Sequence, residues 1–291
     1  MTGRIRGRTT KFASAILVAI GASAVTAAAA SAVVVYNNIP NPLPGNGYTV
    51  GAQAEEVNEF GGQVGAAGTA RNKSTVEVVM SSKACQLGSQ AADSCATPKP
   101  SKTFKWPVTL NIYEVGPGNS VGLQIASITT NVKMPYRPGR DPVHCPDPAA
   151  NVEGGWYDAT ADIHGLHCFH GMAFVVKFKT KLKPIPTNTI MSVAYNSENF
   201  GPIPVGTKPC DSTSAGCPYN YLSSVITETS EAWLSVGANP TGDVYVNTAA
   251  PEWFAGPECQ GAPIGVSGVF SPNNCLGTMH MQPEMKVEAS S

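Results

Sequence analysis

The sequence predicts an all-β protein, an antiparallel and jelly-roll-like β-sandwich whose loops are clipped by disulfides. Three observations predict it. Phe104, Trp106, Val108, Leu110 and Ile112 fall on every second position, with Lys105, Thr109, Asn111 and Tyr113 between them, the period of a strand with one buried and one wet face. Glycine (29) and proline (24) are spread evenly through 291 residues of which only 13% are charged, whereas helices need longer runs free of both breakers. The eight cysteines are an even number, as expected of an oxidised framework in an exported chain.

Export is read from residues 1–32. Arg4, Arg6, Arg8 and Lys11 precede an apolar run from Phe12 to Val25, and Ala30-Ser31-Ala32 supplies a small-x-small cleavage pattern, predicting a mature start at Val33. About fourteen apolar residues are short for a span that needs roughly twenty. No consecutive arginines occur there, which favours the general secretory route. Removing four basic residues from 19 leaves 15 against 20 acids, a formal net charge of −5. That balance argues against polyanionic partners such as nucleic acid. No second apolar run of spanning length follows.

Elements follow in order. Val33 to Ile39 reads as a first strand, stopped by Pro40, Pro42 and Pro44. Tyr48 to Phe60 and Gln63 to Ala67 are weaker candidates on either side of Gly61-Gly62. Thr75 to Ser82 is strong, with Val76, Val78 and Met80 on one face and Glu77 and Ser81 on the other. The Phe104 strand ends at Gly116-Pro117-Gly118-Asn119, a turn signal, and its hairpin partner runs from Leu123 to Met134. Pro135 to Ala161 reads as a long loop. Met172, Phe174, Val176 and Phe178 alternate again, and Thr189 to Tyr195 is next. Tyr221 to Glu228, Ala232 to Val236 and Val244 to Asn247 read as closing strands. The sandwich is expected over residues 33–249. From Ala250 onward a disulfide-tied, partly disordered C-terminal extension is expected. The absence of an internal repeat counts against a propeller or solenoid.

Cysteine spacing suggests four local clips: Cys85–Cys95, Cys145–Cys168, Cys210–Cys217 and Cys259–Cys275. Eight cysteines allow 105 pairings in principle. Each suggested pair brackets a stretch rich in small or turn-forming residues, and closing such a loop is worth roughly 2–4 kcal/mol in the chain-entropy model. Lys177, Lys179, Lys181 and Lys183 recur with a period of two, the wet side of a strand, where lysine also discourages edge pairing.

The chain also resembles a family. Tyr36-Asn37-Asn38-Ile39-Pro40, Pro42-Leu43-Pro44-Gly45-Asn46, Glu59-Phe60-Gly61, Thr75 to Ser82, Val108 to Gly118 and Pro135-Tyr136-Arg137-Pro138 carry the likeness. Trp156-Tyr157, Gly171-Met172-Ala173-Phe174 and Ala194-Tyr195-Asn196 continue it. Over roughly Val35 to Thr248 they look like an uncharacterised group of secreted bacterial β-sandwich proteins. The resemblance implies the fold and a secreted or cell-surface location, with a loose likeness to surface carbohydrate-binding sandwiches. It implies no catalytic residue.

Chemistry-bearing residues are few. His164, His167, Cys168 and His170 crowd into seven positions, and imidazoles bind zinc or copper. A closed site would need further ligands such as His144 or Asp162, and Cys168 is wanted for a disulfide, so a histidine-rich loop at a sandwich end is the simpler expectation. Gly118-Asn119-Ser120-Val121-Gly122 matches the nucleophile pattern G-x-S-x-G, which needs a strand turning sharply into a helix. Here it joins two strand-like runs. Carboxylates at Glu55, Glu56, Glu59, Glu228 and Glu231 show no spacing that selects the facing pair a glycosidase needs. Asp141, Asp147, Asp158 and Asp162 form no calcium-loop motif, so no cofactor is expected, with structural calcium or zinc as the minor alternative.

Loop aromatics are the better lead. Tyr136, Trp156, Tyr157 and Tyr219, with Trp253 and Phe254, lie outside the clearest alternating runs, and exposed rings provide stacking surface for a ligand. Equally, Trp156 and Tyr157 could cap an open end of the sandwich. Trp106 is in phase with the core set. The expected protein is a non-enzymatic, exported sandwich that binds a glycan or a protein partner at the cell surface. Its alternatives are a structural envelope protein and a secreted polysaccharide hydrolase.

Overall fold

A computed structural model describes residues 31–52, 55–88, 94–146, 155–160, 167–182, 184–196, 222–226, 234–240, 244–251, 265–273 and 281–291. Among the described residues fourteen strands are formed: β1 (Val33–Asn37), β2 (Tyr48–Gly51), β3 (Val57–Gly65), β4 (Asn72–Ser82), β5 (Thr103–Val115), β6 (Val121–Pro135) and β7 (Trp156–Tyr157). They continue as β8 (Cys168–Phe169), β9 (Met172–Lys179), β10 (Asn188–Tyr195), β11 (Leu222–Ile226), β12 (Val244–Thr248), β13 (Ser271–Asn273) and β14 (Met285–Ser290). The predicted all-β class is the observed one, and every strand pairing is antiparallel.

Two six-stranded sheets carry the fold. One runs β1-β14-β4-β11-β2 with β9 on the far flank of β4, the other β13-β12-β3-β10-β5-β6, and β7-β8 form a small third ladder. Val76, Val78, Met80, Val176, Phe178 and Val287 of the first sheet share one buried cluster with Val64, Val108, Leu110, Ile112, Met191 and Val193 of the second. Each such side chain contributes roughly 1.5–3 kcal/mol when fully buried. The alternation seen in sequence is therefore the alternation between core and outer face. Trp106 packs against that cluster, as its phase predicts, and its indole donates to the Asn196 carbonyl at 2.8 Å.

β4 organises the first sheet. One of its flanks pairs with β9 from Thr75 to Ser82. The other is shared end to end by β14 and β11. Glu284 sits at their junction, donating its N–H to Val225 at 3.1 Å and accepting from the Val79 N–H at 3.0 Å. β9 pairs with β4 alone among the described strands. Lys177 and Lys179 thus line a sheet edge, as their spacing predicts, while Lys181 lies past the strand and Lys183 outside the described residues; Lys177 also binds Glu77 at 2.5 Å.

Several boundaries differ from expectation. Gly61-Gly62 does not separate two strands. β3 runs through it, and a Cβ on Gly61 would lie 2.6 Å from the Met191 carbonyl oxygen and 2.7 Å from Ser192 Cβ. These glycines mark a close approach of neighbouring backbones, which a sequence reads as a turn. The break falls earlier, near Glu56, whose φ is +51°. Val236 makes only an isolated bridge to Asn37, and Trp156-Tyr157 form a short strand inside the expected loop. The extension expected after residue 249 does not stand apart either. Met285–Ser290 is inserted between β1 and β4, with Met285, Val287 and Ala289 in the core. Its six residues are too few to show a period by themselves.

Two predicted disulfides are formed, Cys85–Cys95 and Cys145–Cys168. Cys210, Cys217, Cys259 and Cys275 lie outside the described residues. No helix among the described residues is long and apolar enough to cross a membrane.

Candidate functional site

The outer face of the second sheet holds the candidate site. Strand register sets its residues in rows. Asn247, Glu59, Ala194, Thr109 and Thr129 stand side by side on β12, β3, β10, β5 and β6. Beside them run Tyr245, Gly61, Ser192, Asn111 and Ser127. A third row carries Gln63, Ile190, Tyr113 and Gln124. Small residues on β3 and β10 (Gly61, Ser192, Ala194) lower the middle of this surface. The longer side chains of β5, β6 and β12 flank the resulting groove of about 760 Å³.

Glu59 is the chemical centre. It is buried, and its Oε1 accepts from Asn111 Nδ2 at 2.8 Å, from the Tyr113 hydroxyl at 2.8 Å and from the Ser192 hydroxyl. All three bonds converge on one oxygen and none involves Oε2. No ion pair among the described residues reaches this carboxylate. Opposite it, Asn247 Oδ1 is buried with no hydrogen-bond donor among the described residues. Burial, and then the Glu59 charge, push the Tyr113 phenol above its ordinary range. Phe270 packs on Tyr113 with centroids 5.2 Å apart and on Tyr245 at 6.1 Å, and the Tyr245 hydroxyl donates to the Asn119 carbonyl at 2.8 Å. An aromatic block thereby supports the Tyr113 end.

The residues singled out from sequence lie elsewhere. Trp156 is buried, and its indole donates to the Gly171 carbonyl at 2.6 Å, so it caps rather than presents. Tyr157 is 36% exposed and stacks on His144 at 4.6 Å. Tyr136 is half-buried on Phe104, at 4.9 Å. Tyr219, Trp253, Phe254 and His164 lie outside the described residues. His167 Nδ1 is 3.1 Å from the Asp158 carbonyl, and the His170 carbonyl accepts from the fully buried Arg137 at 3.1 Å. No cluster of three metal-ligating side chains occurs among the described residues. Asp141 Oδ1 accepts the N–H groups of Val143 and His144, which accounts for it as a turn former. Ser120, the residue at the nucleophile position of G-x-S-x-G, donates to the Pro117 carbonyl at 2.9 Å within the β5–β6 turn.

The groove was only half visible in sequence. Thr109, Asn111 and Tyr113 are the residues that alternation assigns to the wet face, and they are polar where an idle face would carry Lys and Glu. Glu59, Ser192 and Asn247 come from strands distant in sequence, brought together by register alone. No protein-family model, curated protein or solved structure matches the chain.

Proposed function

We propose that this is an exported, non-enzymatic β-sandwich that binds a glycan in the groove on the outer face of its second sheet. The observation that carries this reading is the half-sunk Glu59 carboxylate, held by three neutral donors on an open, uncharged, hydroxyl- and amide-rich surface. A glycan presents hydroxyls in series along a chain, and an extended polar groove with fixed acceptors matches that pattern. Export is supported by the basic, apolar and Ala-Ser-Ala run at the start of the sequence and by two formed disulfides. Glu59 is the only carboxylate among the described residues that line the groove. Glycoside hydrolysis ordinarily uses two, which favours binding over turnover.

Calorimetry of the mature protein against a panel of hexasaccharides tests this. Thr109→Trp fills the groove from an outward-facing position and is expected to weaken binding at least tenfold. Tyr157→Ala, at the separate β7–β8 ladder, is expected to leave it unchanged. Failure of every oligosaccharide to bind, or Thr109→Trp binding as wild type does, rejects the reading.

A further inference from the structure

The distribution of donors and acceptors in the groove narrows the ligand class, resting on the glycan reading above. Asn111, Tyr113 and Ser192 are protein donors reaching into the floor, and all three are consumed by Glu59 Oε1. The other polar lining side chains are amides and hydroxyls that donate as well as accept, so the Glu59 carboxylate is the one charged group among the described lining residues. Glu59 Oε2 takes none of those bonds, and Asn247 Oδ1, its neighbour across β3 and β12, has no donor among the described residues. No lysine, arginine or histidine stands among the described lining residues. A buried carboxylate without a cation is costly unless its hydrogen bonding is completed, and charge-assisted bonds are about twice as strong as neutral ones. A hydroxyl brings one donor and no charge. A protonated primary amine brings three donors and the missing positive charge, which suit Glu59 Oε2.

We propose that the groove selects sugars carrying a free ammonium over their N-acetylated and neutral counterparts. N-acetylation leaves a single N–H and removes the charge, so Glu59 discriminates at that substituent. The rest of the groove grips the chain without regard to it.

The test is calorimetry at pH 6 and low salt with three oligosaccharides of equal length, built from glucosamine, N-acetylglucosamine and glucose. The glucosamine oligomer is expected to bind at least tenfold tighter than the other two. Glu59→Gln keeps the side chain's shape, and circular dichroism checks its fold. It is expected to bring the three affinities within about twofold while binding to the glucose oligomer persists. Equal binding of all three oligomers by the wild type overturns the selectivity and leaves the glycan reading standing. A preference that survives Glu59→Gln overturns it too, by tracing it to diffuse surface charge. Binding of none of the three overturns the selectivity, and the glycan reading is then decided by the wider hexasaccharide panel.

Discussion

The Tyr113 hydroxyl reaches over β10 to donate to Glu59 Oε1 at 2.8 Å, linking β5 to β3 across the intervening strand. Burial chiefly, and Glu59 in addition, raise the Tyr113 phenol above its usual range. A spectrophotometric titration should therefore show Tyr113 still protonated where ordinary tyrosines ionise, near pH 10. Glu59→Gln should bring its ionisation down without restoring the ordinary value, because the burial remains. The comparison with Tyr113→Phe identifies its signal. An unchanged titration in Glu59→Gln would mean that the two groups are not coupled.

Gly61 stands beside Ser192 in the β3–β10 ladder, where no side chain fits. An added Cβ would meet the Met191 carbonyl oxygen at 2.6 Å and Ser192 Cβ at 2.7 Å, and backbone must move to relieve it. Gly61→Ala should destabilise the protein by about 2 kcal/mol, in the range of core overpacking, measured by urea denaturation. Ligand binding should weaken as well, since Ser192 shifts relative to Glu59. Gly118, with no atom within 4 Å of an added Cβ and a φ of +62°, should instead show only a backbone penalty of about 1 kcal/mol when replaced by Ala.

Strands with a full alternating period were readable because core and solvent sort side chains at each step. β5 and β9 are of this kind. Gly61-Gly62 misled because glycine is equally a turn former and a concession to a crowded neighbour, and only the neighbour, Ser192, distinguishes the two. Met285–Ser290 was missed for a related reason. Its partners β1 and β4 lie more than 200 residues away in sequence, so nothing local marks six residues as a central strand. The candidate site was hidden by the same non-locality. Asn111 and Tyr113 declared a polar face, while Glu59 looked like one scattered acid among several until β10 joined β3 to β5. Trp156 drew attention as a loop aromatic, and its burial follows from the indole N–H finding the Gly171 carbonyl.

A row of charge crosses the opposite sheet. Glu77 lies between Lys177 at 2.5 Å and Lys286 at 3.0 Å, its direct register partners on β9 and β14, and Lys286 continues to Glu288 at 3.0 Å. Burial alone would raise the Glu77 carboxyl, but the hydrogen bonds from Lys177 and Lys286 outweigh it and hold the carboxyl below its ordinary value. A lowered carboxyl contributes stability above its unfolded pKa, and that contribution is lost as pH falls through the folded value. Glu77→Gln should cost about 1 kcal/mol at pH 7, and the difference from wild type should shrink as pH falls below the ordinary carboxylate range and through the lowered folded value. Lys286→Met should cost more than Lys177→Met, because Lys177 is 66% exposed and Lys286 25%. A deficit in Glu77→Gln that persists at low pH would assign its cause to packing.

Glu284 behaves in the opposite sense. It is 4% exposed at the junction of β14 and β11, its Oε2 is buried without a hydrogen-bond partner among the described residues, and burial pushes its carboxyl up to about 8. Between the unfolded value near 4.5 and the folded value near 8, the native protein holds a proton that the unfolded chain has released. Stability must therefore fall as pH rises through that window, with a slope approaching about 1.4 kcal/mol per pH unit from this group. Glu284→Gln keeps the shape of the protonated acid and should abolish the slope, so that its advantage over wild type grows from nothing at pH 4.5 to its maximum above pH 8. Urea denaturation midpoints of the two proteins across that range measure it directly. Parallel pH profiles would show that Glu284 is ionised in the folded protein at neutral pH and that the strand junction accommodates its charge.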